Sequence, residues 1–485
     1  MTRNNIRTQS RRNFLKKTGI GLMVLPAFDE IAAAISQPVY FTTGFKISEV
    51  TDRSAIFWTR LCSQETPVPI RHSRRGEVFR HPIDFDENQP VEKMDGAVAG
   101  AAGFVRITLV NDHTRAFRSD WHAATPGDDY TVKIPIDGLE SATDYRVEIE
   151  ARASMAGTSV YASGSFRTAP DPRTPAAVNW VVCTCQYLWS YDDEERGFKV
   201  YDSMRRLRPD FYVHTGDYVY YDKPGPLAFT REKARHKWHA MDSRPSIRDF
   251  CREVPIYMLK DDHDLLKNDV DPTSAPYGEL SYADGLKVWN EQVALHGKPY
   301  RTYQWGKDLQ IWLIEAREYR SNNDLPDGPG KTIWGDEQLA WFKETVAAST
   351  ATFKLLISPT PIVGPDRDTK KDNHANKNFH TEGAWLRQYL STVERLFVIS
   401  GDRHWQYFSE DPETGLMEFG SGPVSDFHAQ GWRSDDVRPE HRFLRVKGGF
   451  LQVRVFRKDK SPCIQFNHHD VDGNIVNTHT HYAYT

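Results

Sequence analysis

The sequence predicts an all-β segment followed by an α/β region whose strands carry polar chemistry at their carboxyl ends. Residues 38–169 hold runs that alternate at strand period, such as Ala55-Ile56-Phe57-Trp58-Thr59-Arg60 and Tyr145-Arg146-Val147-Glu148-Ile149. From residue 174 onward, short apolar runs alternate with helical stretches, the pattern of strands connected through helices. Four of those apolar runs end in side chains able to bind a metal or move a proton. In an open α/β sheet, ligands bind beyond the carboxyl ends of the strands.

A chain of 485 residues has room for two or three domains, and 39% hydrophobic with 26% charged residues marks it as globular. At its start, Ser10-Arg11-Arg12-Asn13-Phe14-Leu15-Lys16 is a twin-arginine pattern, followed by a short apolar run over 19–28 and by Ala32-Ala33-Ala34 as a cleavage site. Residues 1–34 are therefore expected to be a leader read by the twin-arginine export machinery, which places the mature chain in the periplasm or outside the cell. The apolar run is shorter than the about 18 residues a span requires, so no membrane span is expected. Removing the leader takes away six basic and two acidic residues and moves the net charge from −4 to −8. That balance disfavours nonspecific binding to nucleic acid.

Residues 38–169 are expected to form a separate immunoglobulin-like or fibronectin-like sandwich, because Leu139 with Ala142-Thr143-Asp144-Tyr145 has the pattern of a tyrosine corner. Its expected role is to pack against the catalytic part. Pro170, Pro172 and Pro175 make a stiff linker into a catalytic domain over 174–485. There, residues 196–207, 230–241, 335–348 and 381–390 are expected as helices, the last with Thr381 as N-cap. Residues 450–456 and 463–468 are expected to complete a second sheet. His468, His469, His479 and His481 are expected on edge strands.

The chemistry sits at four strand ends. Residues 179–184 deliver Cys185 and Gln186; 211–215 deliver, through Gly216, Asp217 and Tyr220; 255–260 deliver Asp261, Asp262 and His263; 396–400 deliver Asp402, Arg403 and His404. If these runs are neighbours in one sheet, those side chains share a rim and form a metal site. Carboxylates suit hard cations, imidazole suits iron and zinc, and a metal-bound Cys is a thiolate. A phenolate from Tyr220 beside a thiolate from Cys185 favours ferric iron. Metals sharing Asp217 would activate water and clamp an in-line displacement at phosphorus. Of the five cysteines, Cys62, Cys183, Cys251 and Cys463 remain once Cys185 is given to metal, and their pairing is left open.

In chain order, Cys185-Gln186, Gly216-Asp217-Tyr218-Val219-Tyr220, Asp261-Asp262-His263-Asp264 and Gly401-Asp402-Arg403-His404-Trp405 resemble the motifs of the alkaline phosphatase D family. This is a branch of the calcineurin-like metallophosphoesterases. The resemblance implies a four-layer αββα sandwich behind the β domain, and iron with calcium as cofactors, zinc, manganese or another divalent ion being the alternatives. It implies Cys185, Asp217 and Tyr220 as iron ligands, with Asp217 bridging to a second metal. Asp262, Asp402 and His404 complete the ligands, Asn268 is a further candidate, and His263 contacts the phosphoryl group or protonates the leaving oxygen. Arg403 is expected to stabilise charge on the phosphoryl oxygens. The chain departs from the family pattern at Lys260, where Trp is usual, and at Asp264, where Glu is usual.

Arg317, which follows the strand over 309–314, and His374 and His380, in a long polar loop, are candidate substrate-binding residues. The expected activity is hydrolysis of phosphate monoesters or diesters. Sulfate ester hydrolysis on the same scaffold and a non-catalytic binding protein are the alternatives.

Overall fold

Two sheets stacked face to face hold the strand ends in place. The computed structural model describes residues 38–112 and 114–484; the leader expected over 1–34 lies outside the described residues. The first sheet runs Ile475–Tyr482, Ser461–His469, Phe450–Lys458, Val178–Cys183, Phe211–His214, Ile256–Met258, Phe45–Ser48, Ser54–Arg60, Thr131–Asp137. Val178–Cys183, Phe211–His214 and Ile256–Met258 are parallel neighbours, with Val213 opposite both Val182 and Tyr257, so three of the four motifs leave from one rim.

The fourth does not belong to that sheet. Leu396–Ser400 lies in a seven-stranded sheet ordered Arg301–Trp305, Leu309–Leu313, Phe353–Ser358, Leu396–Ser400, Met417–Ser421, Gln406–Glu410, His441–Arg445. The two sheets meet at the rim, where Thr184 bridges to Pro423 and its hydroxyl accepts the N–H of Asp402 at 3.3 Å. The C-terminal strands also change sheets relative to expectation. Phe450–Lys458 pairs antiparallel with Val178–Cys183 in the first sheet, because strand alternation reports a half-buried face and not its neighbour. His479 and His481 stand on the outermost strand, whereas His468 and His469 are buried one strand further in.

Alternation along each strand builds the layers. Trp180, Val182, Phe211 and Val213 of the first sheet face Leu309, Ile311, Leu355 and Ile399 of the second in one apolar core. Their neighbours Val181, Cys183, Tyr212 and Met258 point the other way, onto Met204, Trp238, Phe250 and Trp289 from the helices Lys199–Arg206, Arg231–Asp242, Pro245–Cys251 and Tyr282–Gln292. Trp312, Leu356 and Val398 likewise meet Phe342, Val346 and Leu386 from Gly335–Ala348 and His380–Ser391. Strands buried on both faces read as continuous apolar runs, and each fully buried aliphatic side chain contributes about 1.5–3 kcal/mol. The last helix starts at His380 with Phe379 as N-cap, two residues earlier than the Thr381 cap predicts.

Between these strands, Gly103–Asn111, Thr114–Arg118, His122–Ala124, Asp144–Arg152 and Val160–Arg167 form a smaller antiparallel sheet. Tyr145 Oη accepts the N–H of Glu140 at 2.9 Å, the tyrosine-corner contact. The sandwich is nevertheless not self-contained. Phe45–Ser48 pairs with Ile256–Met258 through Ser48 and Ile256, so the first sheet runs across the boundary expected near residue 170, and the chain from Pro38 onward is one unit.

Candidate metal centre

Local backbone geometry aims the side chains before any packing does. Gly216 has φ +111°, and a Cβ there would lie 2.6 Å from Asp261 Cβ. Cys185, Asp217 and Asp402, each just beyond its strand, hold φ of 52°, 58° and 63°. Left-handed conformations are uncommon outside glycine and gather at functional sites. The loops interlock through their main chains: Cys185 N–H donates to Gly216 at 3.1 Å and Gln186 N–H to Asp217 at 2.8 Å.

Asp217 stands at the centre. The Cys185 thiol donates to its Oδ2 at 3.5 Å and the Tyr220 phenol to the same oxygen at 3.0 Å. Tyr220 Oη lies 3.1 Å from His404 Nε2 and 2.9 Å from His428 Nε2. Three sets of potential ligand atoms each fall within 4.8 Å: Cys185, Asp217 and His404; Asp217, Asp262 and His263; Asp217, Asp261 and Asp402. Asp217 belongs to all three. Its Oδ1 is buried without a hydrogen-bond partner among the described residues, a costly state that a cation would relieve, so the donor set fits a metal centre.

Electrostatics point the same way. Burial, reinforced by Asp217, pushes the Cys185 thiol well above its ordinary value, and burial also pushes the Asp217 carboxyl up. Burial holds Asp261 and Asp264 up at about 7. Against its own burial, His263 is raised to about 10, chiefly by Asp222, whose Oδ1 lies 2.6 Å from Nδ1. Burial lowers His404 far below the usual imidazole value, leaving the neutral ring a metal ligand requires. Asp264 accepts the N–H groups of Asp217, Asp261 and Val219 at 2.7, 3.0 and 3.0 Å, tying two of the motifs together.

Several expected substrate contacts turn out to be internal. Arg317 is wholly buried; its Nε donates to Asp261 at 2.5 Å and its Nη2 to Asp372 at 3.1 Å. Arg403 is likewise buried, bonding Asp366 Oδ1 at 2.6 Å and paired with Asp402, because a buried guanidinium requires carboxylates around it. His374 lies inside the protein, with Nε2 2.9 Å from Glu382, while His380 is exposed at the start of its helix. Asn268 is exposed at the cavity mouth; it is its neighbour Asp269 that joins an acidic group, with Asp262 and Asp372. Lys260, in place of Trp, ion-pairs with Glu315 and Glu318 at 3.4 and 2.6 Å.

The cavity over the centre measures about 90 Å³, with Tyr220, His263, Asp402 and His404 inside and Phe79, Lys223, Arg367 and Lys370 around it. Its rim cations, together with His428, Phe79 and Asp372, are not legible from strand-end motifs. Only the long polar loop that carries Asp372 marked its segment as a candidate.

The sequence pattern of PhoD-like phosphatases matches residues 179–447, which include all four strand ends and His428. The chain belongs to the PhoD-like phosphatase family. Within this PhoD-like region lie all of the expected metal ligands. Alkaline phosphatase D of Bacillus subtilis (strain 168) is 21% identical over 401 residues, 72% of this chain; the chain spans 62% of that relative's length. Tartrate-resistant acid phosphatase type 5 of Sus scrofa is 22% identical over 311 residues, 61% of this chain and 84% of the relative. A solved structure of PhoD superposes with a TM-score of 0.69 at 16% identity, covering 92% of this chain and 89% of that one. Purple acid phosphatase PPD1 from yellow lupin (Lupinus luteus) seeds superposes with 0.60 at 9% identity, covering 90% and 73%. These likenesses establish the metallophosphoesterase fold for the PhoD-like chain. Among the described residues, no helix is long and apolar enough to cross a membrane.

Proposed function

We propose that this chain is an exported metal-dependent hydrolase of phosphate esters. The observation that carries the reading is Asp217, shared by three ligand groups and buried with one carboxylate oxygen unpartnered. Cys185, Asp217 and Tyr220 would hold iron, and Asp217, Asp262, Asp402 and His404 would complete the sites for iron and calcium. Bound there, the cations would supply Lewis acidity and a nucleophile at neutral pH.

The chain's own residues do the rest. Asp222 fixes the His263 ring through Nδ1 at 2.6 Å, which leaves Nε2 as the atom that offers a proton to the leaving oxygen. Lys223, Arg367 and Lys370 surround the cavity with positive charge where phosphoryl oxygens would lie. Arg317 and Arg403 act from behind, holding carboxylates in position. The twin-arginine pattern supports passage of the chain out of the cytoplasm.

Elemental analysis of purified protein, run beside hydrolysis of an aryl phosphate, a bis-aryl phosphate and an aryl sulfate, tests the reading. Iron with calcium and turnover of a phosphate ester is the expected result. Turnover of the sulfate alone would overturn the substrate class, and full metal occupancy without any hydrolysis would overturn the enzyme.

A further inference from the structure

Between the strands Ser54–Arg60 and Gly103–Asn111 the chain makes a long excursion whose only regular element is the single 3-10 turn Val91–Lys93. Loops of this length inside a compact fold are usually functional. This one is strapped across the metal centre and tied down on three sides. Phe79 N–H donates to Phe427 at 2.8 Å, His81 Nδ1 lies 3.0 Å from Tyr187 Oη, and the Glu87 carboxylate accepts Gly225 and Leu227 N–H at 2.9 and 2.6 Å. Tyr187, Gly225 and Leu227 belong to the loops that follow two of the site strands, and Phe427 to the 3-10 turn Asp426–His428 that carries His428.

Phe79 is the point of the strap that reaches the cavity. Its backbone holds φ 54°, a conformation a non-glycine residue keeps only where its surroundings impose it. Its ring packs edge-on against His428 at 4.6 Å and His404 at 5.9 Å between centroids, and Lys223 Nζ lies 5.2 Å from the ring centre. The ring is half-buried and forms part of the cavity wall.

The space it leaves is small. At about 90 Å³ the cavity has room for a group the size of a tetrahedral oxyanion, and it is far below the about 300 Å³ at the lower end of pockets that enclose a drug-sized ligand. A phosphomonoester has one organic group, which can project outward once the phosphoryl group is seated. A diester carries a second, which must pass the wall or be enclosed by it. We infer that Phe79 is the specificity-determining residue that restricts this site to phosphomonoesters, by closing the wall a diester's second organic group would need.

The inference rests on the phosphate-ester reading, and its test separates the two. Wild type, Phe79→Ala and Phe79→Tyr are compared on an aryl phosphate and a bis-aryl phosphate, with inhibition by inorganic phosphate measured in each. In Phe79→Ala the ratio of kcat/KM for diester over monoester rises about tenfold or more, through a lower KM for the diester, while Phe79→Tyr keeps the wild-type ratio. Inhibition by phosphate changes by less than about twofold, because the anion sits below the ring. If the ratio stays constant, or if both esters decline together with weaker phosphate inhibition, Phe79 only supports His404 and His428 and the inference is overturned. A wild type that hydrolyses neither ester defeats the functional reading and the inference with it.

Discussion

Cys185, Asp217 and His404 sit beside Asp262, Asp269 and Asp372, and the fold compensates the two groups in opposite ways. Around the second group it supplies its own cations. Arg317 Nη2 lies 3.1 Å from Asp372 and 3.8 Å from Asp262, and Lys370 bonds Asp269 and lies 3.6 Å from Asp372. Against burial, Lys370 and Arg317 hold Asp372 well below the usual carboxylate range. Among the described residues, no lysine or arginine bonds Asp217, whose carboxyl burial drives up. A cluster of acids demands an external cation only where the chain has not provided one. A metal thus belongs to the groups that share Asp217, which Asp262 joins through its own set with Asp217 and His263.

The sharpest way to break that contrast is Asp217→Asn, which keeps the side-chain volume and removes the charge. Metal content and ester turnover should drop to background, while the metal-free chain unfolds at an unchanged or higher denaturant concentration. A variant that retained both metal and turnover would end the distinction.

Arg317→Met tests the other side. It leaves Asp261 and Asp372 buried without their guanidinium and should destabilise the metal-free chain by about 3–5 kcal/mol, measured by urea unfolding. A loss below about 1 kcal/mol would mean that this group, too, is compensated from outside.

The pH dependence sharpens the comparison further. In the metal-free chain Asp261 and Asp264 are raised to about 7 and Asp217 is raised as well, so the stability tied to their protonated forms is full below the usual carboxylate values. It is lost as pH rises through about 7. Asp262 and Asp372 are depressed, so their contribution is present above the usual range and lost as pH falls in acid. Melting temperature of the metal-free chain should therefore fall as pH rises from about 4 to 7, and added calcium should reverse the fall, since binding displaces those protons. A flat profile with and without calcium would count against the assignment. The smallest effect belongs to His374→Gln, whose ring is turned to Glu382. It should cost about 1 kcal/mol through the lost contact with Glu382 and leave ester hydrolysis unaltered.

Much of the centre was legible in the chain. Cys185, Asp217, Tyr220, Asp262, His263, Asp402 and His404 announce themselves as polar residues ending apolar runs, and the structure brings these seven together. Arg317 and Arg403 read as substrate-facing because their charge is visible in the sequence and their carboxylate partners are not. Asp366 and Asp372 come from a stretch without periodicity, and nothing local indicates that they reach a guanidinium from another strand. His374 misled for the same reason: Glu382, which holds it, lies in the following helix. Phe79 had no signal of its own, since a single aromatic residue in an irregular loop is common.

The sequence by itself determined the strand runs, the residue types at their ends, the metal chemistry those types allow and the tyrosine corner at Tyr145. Each of these depends on neighbours a few residues away, where period and turn chemistry act. Only the tertiary structure decided that Leu396–Ser400 lies in the facing sheet, that Phe450–Lys458 pairs with Val178–Cys183, that the β segment extends the first sheet, and which cations face the cavity. Strand partners and buried ion pairs are chosen by packing between distant segments, and a one-dimensional pattern carries no record of that choice.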